Sequence, residues 1–205
     1  MSSPSDSARD LAALARVRQA FAATPPPPAS VGRPGLWFDE HGAPHTYDDP
    51  ESEEAAGHFA GRPWTDFANA ALLQWESTQS GLLHLSSQGR AYYLPAYLIA
   101  LLTEVLDVDT FSALETVVDV LMPPDPRAPR SVPGGQGEAQ WKALVQARIT
   151  AFQDFVAALD GPQRAAVAAF LDAMVPRFGN TPPPNPARVA LDEFWATWLP
   201  ALSGV

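Results

Sequence analysis

The most apolar stretch of the chain lies near its middle, at residues 90–106 (RAYYLPAYLIALLTEVL). After position 93, only Thr103 and Glu104 interrupt the apolar run before residue 106. A helix that is apolar on all sides must be covered on all sides, so this stretch predicts the central buried helix of an all-α domain. Thirteen residues separate Arg90 from Glu104, whereas a membrane span needs about 20, and the stretch is therefore too short to cross a bilayer.

Pro95 lies inside this predicted helix. A proline lacks the backbone N–H, and its ring clashes with the carbonyl four residues earlier. In one interpretation, Ser86 or Ser87 caps a single helix that kinks at Pro95. In the other, a first helix ends near Tyr93 and a second begins with Pro95 in its first turn. We favour the single kinked helix, in which the carbonyl near Ala91 is left for water, a side chain or a ligand.

Apolar residues recur at helical spacing in several other segments. They predict helices at about residues 7–23, 50–59, 63–76, 110–122, 141–159, 162–175 and 186–202. Asp49, Asp160 and Asn185 precede three of these helices as capping residues, each with a proline in the first turn. Residues 35–47 contain two short runs around a His-Gly pair and form either a small β-hairpin or an irregular loop.

The pattern as a whole predicts one domain, a bundle of about six or seven helices over residues 7–203. Proline-rich segments at 24–34, 123–137 and 176–186 are expected to be flexible loops. No repeat of fixed period is visible, which argues against a solenoid.

Composition narrows the range of functions. The 205 residues carry a net charge of −10 and include no cysteine. Nucleic-acid binding needs a basic surface that displaces counterions, and an acidic chain is equally unsuited to anionic membranes. The first ten residues are polar and do not resemble a signal peptide, so we expect a cytoplasmic protein that binds neither nucleic acid nor membrane.

The most polar region is residues 39–58, where histidines and carboxylates alternate. Both residue types bind divalent metal ions, and Glu54 and His58 lie one turn apart on a predicted helix. The competing interpretation is a solvated acidic loop followed by a helix whose acidic first turn suits the helix dipole. We therefore expect no metal site and keep Glu54 and His58 as a weak alternative.

Aromatic residues around the central helix are the second candidate site. Tyr92, Tyr93, Tyr97 and Trp64 could line a ligand pocket, with the tyrosine hydroxyls and Arg90 as its polar groups. Core packing with the hydroxyls bonded to backbone explains the same residues. His84, next to the central element, fits a satisfied structural histidine better than a catalytic base. No nucleophile motif and no phosphate-binding glycine loop is present, so neither catalysis nor a cofactor is predicted.

Five segments carry a family resemblance. They are ARVRQAF, HFAGRPWTDF, LHLSSQGRAYYLPAYL, LDGPQRAAVAAFLDAM and ALDEFWATW, in this order between residues 11 and 198. This order resembles a bacterial family of small proteins known only as a domain of unknown function, with YYLPAYL as the most specific motif. The loops at 35–47 and 123–137 depart from the family pattern. The resemblance implies a helical fold and no particular chemistry.

These observations predict a small acidic protein that is not an enzyme and that binds another protein. One form of this function is an immunity-type protein, in which acidity complements a basic toxin such as a nuclease. Two alternatives stay open. The first is a ligand-binding protein or enzyme with an aromatic pocket near Pro95, and the second is a structural or oligomer-forming module.

Overall fold

The computed structural model describes residues 4–25, 31–68, 73, 81–103, 111–125, 137–178 and 184–199. Its α-helices are α1 (Pro4–Phe21), α2 (Pro50–Phe59), α3 (Trp64–Phe67), α4 (Gly81–His84), α5 (Ser87–Leu102), α6 (Phe111–Leu121), α7 (Glu138–Ala157), α8 (Gly161–Met174) and α9 (Pro186–Glu193). Short 3₁₀ helices cover Val175–Phe178 and Trp195–Trp198. Strands β1 (Gly35–Phe38) and β2 (Pro44–Tyr47) pair antiparallel. The predicted helical domain is confirmed, and residues 35–47 form the hairpin rather than an irregular loop.

Helix α5 is the centre of the fold. It is continuous through Pro95, and every residue from Ala91 to Leu102 is buried. The Ser86 hydroxyl accepts a hydrogen bond from the Gly89 amide at 3.2 Å and thereby caps the first turn. The prediction of one helix rather than two is confirmed. The kink at Pro95 stays a prediction.

One apolar core runs through the molecule from Ala13 in α1 to Trp195 near the C-terminal end. Helix α1 packs on α8 and α5, and α3 and α7 pack on α5. Within the described residues, no helix combines the length and the apolar character needed to cross a bilayer.

The apolar face of α1 differs from the expected one. Leu14, Val17 and Phe21 contact the core, but Leu11 is 67% exposed. At about 100° per residue, Leu11 lies roughly 90° away from the centre of the arc that the other three occupy. Asp10 takes the inner position instead, and its carboxylate binds Arg177 at 2.7 Å.

Three helix starts follow their predicted capping residues. The Asp49 carboxylate accepts from the Glu51 amide, and the Asn185 side chain accepts from the Arg188 amide. Asp160 caps the start of α8 and forms a reciprocal capping box with Gln163. The Asp160 carboxylate accepts from the Gln163 amide, and the Gln163 side-chain oxygen accepts from the Asp160 amide.

The C-terminal helix is shorter than predicted. It ends at Glu193, because Phe194 adopts a non-helical backbone (φ −142°, ψ −54°). This break directs Trp195 into the core, where its indole N–H donates to the Leu121 carbonyl at 2.7 Å. In the predicted 63–76 helix, the structure shows α3 and a helical, buried Leu73. Residues 69–72 and 74–80 lie outside the described part.

Parts of the first and third proline-rich segments are anchored to the core. The Val31 carbonyl accepts from the Ser86 amide at 2.7 Å, and Gly32 forms a bridge with Leu85. In the third segment, Phe178 is buried at 4% exposure. Residues 26–30, 126–136 and 179–183 lie outside the described part.

Candidate functional site

The aromatic residues predicted to line a pocket all lie in the core. Tyr93 and Tyr97 are fully buried, whereas Tyr92 and Trp64 are 7% and 8% exposed. The Tyr93 hydroxyl lies 2.6 Å from the Phe59 carbonyl oxygen and 2.9 Å from the Arg62 carbonyl oxygen. Burial raises the pKa of Tyr93 to about 12. Tyr93 therefore connects the central helix to the end of α2.

The Arg90 side chain also forms hydrogen bonds within the fold. Its Nε donates to the Leu82 carbonyl and its Nη2 to the Leu83 carbonyl, both at 2.8 Å. Burial and the like charge of Arg33 lower the pKa of Arg90 to about 10, so the guanidinium keeps its proton at neutral pH. These contacts give the aromatic group a packing role, and ligand binding by Arg90 and its neighbours stays a prediction.

Glu54 and His58 both lie on α2. The His58 ring packs edge-on against Phe59 and Phe67, with centroids 5.4 Å from each. In the part of the chain that the structure describes, no group of three or more histidine or carboxylate side chains is arranged to hold a metal ion. Metal binding by this pair also stays a prediction.

His84, at the end of α4, makes no side-chain hydrogen bond to a described residue. Its Nε2 lies 3.7 Å from a Glu51 carboxylate oxygen. Its Nδ1 is buried and finds no hydrogen-bond partner among the described residues. This differs from the fully satisfied structural histidine that the sequence predicted.

The β-hairpin carries an exposed apolar surface. Leu36, Trp37 and Tyr47 are 43%, 49% and 50% exposed. Trp37 stacks on His45 across the strand pair, with ring centroids 4.4 Å apart and planes 18° apart. Successive side chains of a strand point to opposite faces, and the register places Trp37, His45 and Tyr47 on one face and Leu36 on the other. We call Trp37, His45 and Tyr47 the hairpin surface. Large aromatic side chains held in fixed positions at a surface are typical of protein-binding sites.

The position of the Tyr47 ring depends on a glycine in the opposite strand. A Cβ atom at Gly35 would lie 2.3 Å from the Tyr47 Cζ atom, so the ring lies directly across the bare backbone. Gly35 is paired with Tyr47 in the ladder. The hairpin therefore holds its aromatic rings by cross-strand contacts rather than by a covering helix.

The turn between the strands is closed by Asp39. One carboxylate oxygen accepts from the His41 and Ala43 amides, both at 2.9 Å, and the other lies 3.3 Å from the His45 Nε2. The Ala43 amide, followed by the His45 side chain, lowers the pKa of Asp39 below its usual value. Gly42 completes the turn with φ +81°, a conformation that glycine adopts without strain.

The hairpin is docked on the first half of α7. The Gln140 side chain donates to the Phe38 carbonyl at 2.9 Å, while its oxygen accepts from the Gly137 amide at 3.0 Å. A groove of about 420 Å³ separates β1 from α7. Its lining residues are Leu36, Trp37, Phe38, Gln140 and Leu144.

The segment of the sequence that contains the hairpin is strongly acidic. Between Arg33 and Arg62 the chain has no lysine or arginine. The carboxylates in this interval are Asp39, Glu40, Asp48, Asp49, Glu51, Glu53 and Glu54. Sequence reasoning located this acidic region but did not identify the hairpin as a site. The available signal was the presence of Trp37 and Tyr47 in a segment that is otherwise polar.

Comparison with known proteins agrees with the family resemblance. Residues 10–198 match the model of DUF6714, a family of unknown function, and the chain belongs to that family. The comparisons with curated proteins and with solved structures found no match to this chain.

Proposed function

We propose that this member of a family of unknown function acts by binding another protein through the hairpin surface. The observation that carries the proposal is the pair of half-exposed rings of Trp37 and Tyr47 on one face of a small hairpin. Burying a tryptophan and a tyrosine supplies much of the energy of many protein interfaces. The hairpin is held by its own ladder, the Asp39 turn and the Gln140 contact, so little ordering accompanies binding.

Charge favours a basic partner. The chain carries −10 overall, and the interval containing the hairpin has seven carboxylates and no lysine or arginine. Opposite charges accelerate encounter and suppress association with other acidic proteins. A second copy of the chain brings a further −10, so charge disfavours self-association through this surface. A basic toxin neutralised by an immunity-type protein is the narrower form of this proposal.

The ligand-pocket alternative has less support. Tyr93 and Arg90 already use their polar atoms on backbone carbonyls. A ligand at Pro95 would have to displace those contacts, whereas a partner at the hairpin surface displaces only water.

The test uses the full chain as bait in affinity capture from its native host, followed by purification of the captured protein and titration calorimetry. The double substitution Trp37→Ser and Tyr47→Ser removes both exposed rings, and we expect affinity to fall at least about tenfold. Leu11→Ser is the matched control, because Leu11 is 67% exposed on α1. We expect this variant to bind like the unsubstituted chain.

Circular dichroism checks that each variant remains folded. Equal affinity of the double variant and the unsubstituted chain overturns the proposal. Capture of no partner that distinguishes the two variants overturns it as well.

A further inference from the structure

The hydrogen-bonding pattern of the hairpin determines which backbone groups face outward. Phe38 pairs with Pro44, which has no N–H and cannot donate to the ladder. The neighbouring Asp39 amide donates to the Ala43 carbonyl at 3.1 Å. Phe38–Pro44 is therefore a non-hydrogen-bonded pair, and the ladder bonds fall on the pairs before and after it.

The same alternation applies along the whole strand. Leu36 pairs with Thr46, two positions from Phe38, and is again a non-hydrogen-bonded pair. The N–H and C=O groups of Leu36 and Phe38 therefore point away from β2. The contact between Gln140 and the Phe38 carbonyl, at 2.9 Å, agrees with this direction.

Among the described residues, the bond from Gln140 to the Phe38 carbonyl is the one hydrogen bond on the outer edge of β1. Within the part of the chain that the structure describes, the Leu36 N–H, the Leu36 C=O and the Phe38 N–H have no hydrogen-bond partner. The groove of about 420 Å³ runs along this edge, between β1 and α7. An edge strand with unused backbone groups is a template for another strand.

The outer edge of β2 is less suitable. Its outward-facing residues are Pro44 and Thr46, and Pro44 offers no donor. Proline on an edge strand is one of the devices by which proteins block edge pairing. The two edges of this hairpin therefore differ, and the one that can accept a strand is also the one beside the groove.

We propose that the outer edge of β1 binds an extended, basic segment of a partner protein by strand addition. The segment lies in the groove between β1 and α7 and forms backbone hydrogen bonds with the Leu36 N–H, the Leu36 C=O and the Phe38 N–H, while the Phe38 carbonyl stays bonded to Gln140. Its lysine and arginine side chains complement the chain's net charge of −10, and one of them stacks on Trp37. This inference rests on the proposed function and specifies the chemistry of its partner.

The probe is the acetylated and amidated heptapeptide KVRVKVR, which is basic and favours an extended conformation. Its acidic analogue, EVEVEVE, is the charge control. We expect the full chain to bind the basic peptide and not the acidic one. Failure to bind KVRVKVR overturns this inference, whereas the protein-binding proposal is judged separately by the Trp37 and Tyr47 substitutions with the captured partner.

Two proline substitutions test the outer backbone edges of β1 and β2 separately. Leu36→Pro removes an outward-facing N–H of β1, and Thr46→Pro removes the equivalent N–H of β2, while both leave the ladder bonds intact. We expect Leu36→Pro to weaken peptide binding about tenfold and Thr46→Pro to change it by less than about twofold. Leu36→Ala keeps the N–H and shortens the side chain, so a larger loss in the proline variant than in this one reports the backbone bond. Equal losses in these two variants overturn strand addition.

Modified peptides test the same bond without changing the protein. N-methylation at alternate positions removes one of the two sets of peptide N–H groups. We expect one alternate set to abolish binding and the other to be tolerated, because only one set faces β1. Equal binding of both methylated peptides overturns strand addition even if Leu36→Pro disturbs the hairpin.

Discussion

Replacing Tyr93 by phenylalanine removes one hydroxyl from the centre of α5 and leaves the ring in place. That hydroxyl lies within hydrogen-bonding distance of the Phe59 and Arg62 carbonyls, at 2.6 and 2.9 Å. Tyr93 and Phe59 have no exposed surface, so water does not replace the donor at the Phe59 carbonyl, whereas the exposed Arg62 can bond to water instead. The substitution therefore tests whether the second tyrosine of the YYLPAYL motif has a structural role.

The expected loss of stability depends on which hydrogen bonds the Phe59 and Arg62 carbonyls keep. A buried polar group left without a partner costs about 1–3 kcal/mol. The Phe59 carbonyl still accepts from the Arg62 amide at 3.2 Å, which favours the lower part of that range. We expect the free energy of unfolding to fall by about 1–2 kcal/mol. For a chain of this length, Tm should fall by roughly 2–8 °C.

Tyr92→Phe is the matched control. Tyr92 is 7% exposed, and its hydroxyl makes no hydrogen bond to a described residue and is not fully buried. We expect this variant to unfold within about 0.5 kcal/mol of the unsubstituted chain. Urea titration and calorimetry of both variants make the comparison. Equal losses in the two variants, or no loss in Tyr93→Phe, would refute the reasoning.

Ionisation of the same hydroxyl should lower the free energy of unfolding at alkaline pH. The pKa of Tyr93 is raised from 10.0 to about 12 by burial, so the folded state favours the neutral form. The corresponding stability is present below pH 10 and is lost as the pH rises from about 10 through about 12. We expect stability to fall less steeply across this interval in Tyr93→Phe, which unfolding titrations at successive pH values would measure. An unchanged slope would contradict the assignment.

Three further predictions concern other contacts. Gly42→Ala and Gly61→Ala should each cost about 1–2 kcal/mol, because both glycines have positive φ. Gly42→Ala should cost more, since only a Cβ at position 42 meets the α7 backbone, at 3.0 Å from the Ala139 carbonyl oxygen. Urea titration of both variants measures the difference, and equal losses would contradict the contact. Trp195→Phe should lower the free energy of unfolding by about 2–4 kcal/mol, because it leaves the Leu121 carbonyl without its 2.7 Å partner. Urea titration measures this loss, and a value below about 0.5 kcal/mol would contradict the role of the indole. The contacts that lower the pKa of Asp39 stabilise the turn at pH values above the unfolded pKa, and this stabilisation is lost as the pH falls through the folded pKa. NMR titration should place the Asp39 carboxyl midpoint below 3.8, and the His41 and Ala43 amides, which donate to this carboxylate, should shift less on acidification in Asp39→Asn. A midpoint at or above 3.8 would contradict the assignment.

Local signals were sufficient to predict most of the helical fold. The apolar run at 90–106 identified α5, because its length excluded a membrane span and its composition excluded a surface position. Asp49, Asp160 and Asn185 located three helix starts, since capping depends on residues within one turn of each other. These features are short-range and can be recognised in a sequence.

Long-range contacts were not predictable in the same way. Helical periodicity continued past Phe194, but the helix ends there and Trp195 bonds to Leu121, a residue 74 positions earlier. The hairpin surface was missed for a related reason. Trp37 and Tyr47 are residues that normally predict burial, and their exposure depends on how the hairpin docks on α7 through Gln140.

Amide hydrogen exchange by NMR, on the full chain with and without KVRVKVR, tests the central claim most directly. In the free protein, the outward-facing Leu36 and Phe38 amides should exchange quickly, whereas the laddered Trp37 amide should be protected. With the peptide bound, we expect protection to rise at Leu36 and Phe38 and to stay unchanged at Thr46 on the opposite edge. Unchanged exchange at Leu36 and Phe38, or protection at Thr46 instead, would contradict binding at the outer edge of β1.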